Sequence, residues 1–187
     1  MSAAPDYAAP LVGWRAWAAV DEEEGGVVRL CSVVFETRWL PRERLDAVCA
    51  QRVPSRLLAR LLGIEPHPAP DEGCECGIYA ARTPDLPLSY LDRRVLGSWA
   101  ICTVVGRVAL WGRVIECQRG WRGTHAYPTH LYLVGPALDR RHGPDARTLA
   151  GQLAVYGVPV DVLEARTMPG LLEELAGREG APSGAPP

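Results

Sequence analysis

Strand-like apolar runs broken by short polar turns dominate the first two thirds of the chain. Residues 13–20 and 27–37 have strand composition, and Asp21-Glu22-Glu23-Glu24-Gly25-Gly26 between them reads as a hairpin turn. In the second run apolar positions are nearly continuous, as in a strand covered on both faces. Residues 39–49 fit strand and helix equally. Residues 54–62 predict a short helix, with Pro54 in the first turn, Leu57, Leu58, Leu61 and Leu62 on one face, and Gly63 as a stop. The Pro-rich stretch 65–73 reads as a stiff loop that delivers the chain into Cys74-Glu75-Cys76-Gly77.

Residues 99–105, 107–117 and 131–134 carry the strongest β pattern. Gly106 and Gly112 interrupt it in the manner of bulges or tight bends, and Gln118-Arg119-Gly120 reads as a turn. Beyond Gly135-Pro136 the period changes. Residues 144–156 predict an amphipathic helix bearing Leu149, Leu153 and Val155, closed by Gly157. A strand at 158–163, a short helix at 169–176 and a disordered tail follow. The expected organisation is a flexible N-terminus at 1–10, one globular domain at 11–165, and a helix with its tail at 166–187.

The chain has 187 residues, 48% of them hydrophobic, which is enough apolar material for one core. Its 20 basic residues are all Arg, with neither Lys nor Asn present. Lys and Asn codons are AT-rich, so a GC-rich coding sequence accounts for this, and Arg here is weaker testimony for nucleic-acid binding than usual. A net charge of −2 does not predict a polyanion binder. No basic-then-apolar leader opens the chain, and no run approaches the roughly 18 apolar residues that span a bilayer. These features lead us to expect a cytoplasmic protein away from the membrane, whose six Cys are thiols or metal ligands before they are disulfides.

Cys74 and Cys76 lie in a polar Pro/Gly loop, where two core thiols are poorly explained. A structural zinc site takes four S or N ligands from at least two chain segments. Gly73 and Gly77 would free the backbone to bend around an ion, His67 would fold back from the Pro-stiffened loop, and Cys49 would supply the fourth ligand, with Cys31 as the alternative. The competing reading makes Cys49 a small core residue and His67 a solvated one. A closed four-ligand Zn2+ site leaves no open position for water, and would be structural rather than catalytic.

The run from His67 to Ala80, containing Cys74-Glu-Cys76-Gly-Ile-Tyr-Ala, is followed by Gly106-Arg-Val-Ala-Leu-Trp111-Gly-Arg-Val-Ile-Glu116, Gly120-Trp-Arg122 and Ala126-Tyr-Pro128. Together these segments resemble an uncharacterised family of small actinobacterial proteins over roughly residues 13–163. The resemblance implies a shared domain in a bacterial cytoplasm and carries no catalytic residue across. The helix at 54–62 looks like an insertion relative to that pattern.

Arg107, Arg113, Arg119 and Arg122 are interleaved with Trp111, Trp121 and Tyr127, against the single acid Glu116. Such a β-surface suits a partner protein, or single-stranded nucleic acid with phosphates on Arg and bases on rings. The plainer reading places Arg on the wet face and Trp in the core. An enzyme would be sought around Glu116, Arg122 and His125, with Cys117 and His125 as a thiolate–imidazolium pair, although no known catalytic motif occurs. The expectation is an α+β domain: a mainly antiparallel curled sheet or partial barrel with short helices and a zinc-clipped loop. Its expected role is a non-catalytic binding or adaptor module acting on another protein, with the small enzyme and the nucleic-acid binder as alternatives.

Overall fold

The computed structural model describes residues 9–21, 27–34, 37–49, 67–90, 100–134, 145–165 and 167–180. The helix expected at 54–62 lies outside these residues, as do residues 1–8 and 181–187. In chain order the strands are β1 (Leu11–Asp21), β2 (Val28–Ser32), β3 (Arg38–Trp39), β4 (Leu45–Asp46), β5 (Ile78–Ala81), β6 (Cys102–Cys117), β7 (Gly120–Val134) and β8 (Val160–Leu163). The helices are α1 (Asp85–Ser89), between β5 and β6, α2 (Ala146–Leu153), before β8, and α3 (Met168–Gly180), after it. The fold is α+β, as the pattern predicts.

The first two apolar runs pair antiparallel, from Asp21 opposite Val28 to Trp17 opposite Ser32. The ambiguous stretch 39–49 becomes two short pairings rather than a helix: β3 adds to β2, and β4 adds to β7. The two runs expected at 99–105 and 107–117 form one long strand, β6. It passes through Gly106 and absorbs its irregularities as register shifts between Arg107 and Val108 and between Trp111 and Val114. Gly112 sits in the second shift at φ +76°, a conformation that side chains with a Cβ resist. Pro128 lies opposite Val108 at the first shift, where a broken ladder tolerates a residue with no N–H to give.

Three long strands carry the sheet, with β6 between β1 and β7 over residues 104–110. β5 pairs with β1 at Trp14–Ala81 and with β7 at residues 120–123, so β1, β6, β7 and β5 close a partial ring. The pairing is antiparallel except at β8, which returns through α2 to run parallel to β7.

Alternation along the strands sends side chains into two clusters. Trp17, Leu30, Trp39, Val104, Leu110, Leu131 and Leu133 pack with Leu149 and Leu153 of α2. Trp14, Val105, Tyr132 and Val134 pack with Leu88 of α1 and with Leu171 and Leu175 of α3. Asp145 caps α2 by accepting the Thr148 N–H at 2.9 Å. The last turn tightens to a 3-10 helix at Ala154–Tyr156, which rotates the following positions. Tyr156 is therefore buried, while Val155, expected on the inner face, is 41% exposed. The final helix reaches Gly180, four residues past its expected end. Among the described residues no helix is long and apolar enough to cross a membrane.

Candidate metal centre

Two short strands on one edge of β7 bring the ligands together. β4 pairs Leu45 with Ala126 and Asp46 with His125, and the Ala47 N–H continues the ladder to the Thr124 carbonyl at 2.7 Å. Cys49 follows two residues later. On the same edge β5 pairs Ile78 with Gly123 and Tyr79 with Arg122, so the Cys74–Cys76 knuckle arrives beside the same stretch of β7 from the other direction. His67 comes in on the Pro-rich loop, whose Asp71 accepts the Gly73 N–H on its side chain and the Cys74 N–H on its carbonyl. Gly77, at φ +125°, makes the turn out of the knuckle, and its missing Cβ would lie 3.1 Å from the Arg122 Cβ. Gly73 needs no such conformation.

Cys49, His67, Cys74 and Cys76 each place a ligand atom within 4.8 Å of all the others. Cys49 Sγ is 3.8 Å from Cys74 Sγ, and Cys76 Sγ is 3.4 Å from His67 Nε2. A tetrahedral ion with bonds of about 2.3 Å to sulfur and about 2.0 Å to nitrogen demands edges of about 3.8 Å and about 3.5 Å. These two separations match two edges of such a tetrahedron. These four residues could hold a metal ion, and none of the six Cys is in a disulfide. Cys31, the alternative ligand, is instead buried with Ala18, Val20 and Ala100.

Local donors already favour thiolate at the exposed end of the knuckle. The Cys76 backbone N–H, ahead of contacts from the side chains around it, holds Cys74 down to about 7. Burial pushes the Cys76 thiol up. Arg122 completes the arrangement: it is 7% exposed, and Nη1 donates to the carbonyls of both Cys74 and Cys76, the latter at 3.0 Å.

Arg122 was expected on a binding surface, and the structure gives it internal work. Other members of that set are also engaged. Arg113 reaches Asp71 and Glu72 of the ligand loop at 3.9 and 3.6 Å. Arg107 lies over the Trp14 ring, and Tyr127 donates to the Tyr156 carbonyl and accepts the Arg42 N–H. Trp111 tilts against His125. Trp121 is half-buried with the Arg82 guanidinium 4.4 Å over its ring, and Arg119 is exposed at the β6–β7 turn. Six of the seven side chains thus have a contact within the chain.

The expected catalytic trio is also separated. Glu116 lies opposite Trp121 and Arg122 opposite Ile115, so their side chains leave opposite faces of the hairpin. Glu116 pairs with Arg82. His125 faces Trp111 across the ladder, whereas Cys117 faces Gly120 at the far end, so no Cys117–His125 couple forms. The partner of His125 is Asp46, its carboxylate 2.6 Å from Nδ1, which fixes the orientation of the imidazole. That hydrogen bond, first among several causes, holds the Asp46 carboxyl below the usual range. No sequence signal marked Asp46, because only strand pairing brings it to His125. Comparison with protein-family models, curated proteins and solved structures finds no match to this chain.

Proposed function

We propose that this protein is a zinc-stabilised, non-catalytic binding module of the bacterial cytoplasm, in which the ion clips the 67–76 loop to the sheet. The observation that carries the reading is the Cys49–His67–Cys74–Cys76 cluster, with its 3.8 Å and 3.4 Å separations. Three thiolates and one imidazole are a structural zinc donor set, and four protein ligands leave no coordination position for substrate. Another protein is the favoured partner, because the patch left outward at the hairpin end is mixed in charge. Arg119 is exposed there beside the Arg82–Glu116 pair and the half-buried Trp121. Single-stranded nucleic acid is disfavoured by the net charge of −2 and by the internal engagement of Arg107, Arg113 and Arg122.

The test is metal content by mass spectrometry on untagged protein, beside Cys74→Ser and a cobalt-substituted sample. One zinc per chain, lost in the variant, together with the absorption of a tetrahedral thiolate-bound cobalt ion, is the expected result. Metal-free wild-type protein purified under reduction, and failing to take up zinc or cobalt, refutes the proposal.

A further inference from the structure

A second set of polar groups, independent of the metal ligands, stands where β1 changes neighbours. β6 covers one edge of β1 along Leu11–Ala19. On the other edge β5 pairs at Trp14 and β2 begins at Trp17, so among the described residues positions 15 and 16 lie at a gap between two strands. Arg15 spans that gap. One terminal nitrogen donates to the Tyr79 carbonyl of β5 at 2.6 Å, and the other donates to Ser32 Oγ of β2 at 3.0 Å. Its guanidinium carbon lies 5.2 Å from the centre of the Trp39 ring.

The donors around this ring outnumber the acceptors. Arg15 Nε is shut off from solvent and has no hydrogen-bond partner. Trp17, two residues on and on the same side of β1, meets Trp39 edge-on at 5.5 Å, and its buried Nε1 is also without a partner. Ser32 Oγ accepts from Arg15 and, at 2.9 Å, from Trp39 Nε1, which leaves its own proton to give. Among the described residues no carboxylate pairs with Arg15. A buried donor left unmade is costly, and a half-buried cation without a counter-charge adds to that cost. Burial holds the Arg15 guanidinium down to about 10, and an anion beside it would push that value back up.

We propose that the gap between β2 and β5 is a binding site for a small carboxylate, held by Arg15 Nε, Trp17 Nε1 and the Ser32 hydroxyl against Trp39. One negative charge matches the one cation, and an arginine edge matches a planar carboxylate. A phosphate dianion would bring a second charge with nothing in the site to neutralise it. The indole walls favour a carboxylate attached to an apolar or aromatic body.

The experiment is a titration of the intact protein, labelled with 15N, by sodium formate, acetate and benzoate. Sodium chloride and inorganic phosphate at matched ionic strength are the controls. The expected result is a saturable shift of the Arg15 Nε–H and Trp17 indole N–H resonances with the carboxylates alone, with a Kd on the order of 1 mM for formate. Benzoate should bind more tightly than formate. Arg15→Lys keeps the charge and removes the Nε donor, and should weaken binding at least tenfold. Absence of saturable shifts in the wild-type protein overturns the proposal and assigns the unspent donors to buried water. Equal shifts with chloride or phosphate overturn it as adventitious anion binding. The wild-type titration decides whether or not the variant folds.

Discussion

Arg122 shows how much one side chain contributes when it is buried. Its guanidinium joins the two carbonyls of the knuckle to β7 and brings a positive charge beside Cys74 and Cys76. Arg122→Met should lower unfolding stability by about 2–4 kcal/mol and speed zinc loss to a chelator, because two buried carbonyls lose a charged donor. Arg119→Met, on the exposed turn, should stay within about 0.5 kcal/mol of wild type. Urea unfolding of the two variants checks the contrast. The sequence drew attention to both arginines for the same reason, their place among aromatic residues, and nothing in the pattern separated the clamp from the solvated one.

At the scale of elements, bulges and caps matter more than average propensity. Strand β6 runs on through a glycine interruption because the bulge at Gly112 accepts φ +76°. A Cβ there would lie 2.9 Å from His125 Cδ2, so Gly112→Ala should cost about 1–3 kcal/mol through strain and contact. Gly151 in α2 has nothing within 4 Å of its missing Cβ. Gly151→Ala should therefore stabilise by about 0.5–1 kcal/mol, the ordinary helix-interior difference. Thermal melts of the two glycine variants should move in opposite directions. Glycine in strand and helix patterns was legible as an interruption, whereas its sign in each case depends on the local φ and on neighbours distant in sequence.

The whole molecule separates into a packed body and a margin that carries the candidate metal centre. The two core clusters, with α2 on one side of the sheet and α1 and α3 on the other, include no residue of the 67–76 loop. Chelation should therefore release the loop and leave the body folded. In hydrogen exchange, protection at Cys74 and Ala47 should fall, while the core amides of β1 and β6 remain protected. Collapse of β1 and β6 protection together with the loop would show that the clip supports the entire fold.

Periodicity and composition alone specified the β-rich α+β class, the first hairpin, the β6–β7 hairpin turn, the capped helix ahead of β8 and the Cys74–Cys76 knuckle as a metal-ligand candidate. Those features are local: they rest on alternation, turn residues and donor chemistry within a few positions. Tertiary structure decided the rest. It joined two runs into β6, turned Tyr156 rather than Val155 inward, chose Cys49 over Cys31 and drew Arg122 inside. It also paired His125 with Asp46 and left Arg15 Nε and Trp17 Nε1 without partners. Each of these outcomes follows from which strands share an edge of β1 or β7, and strand pairing joins residues whose separation along the chain carries no local signal.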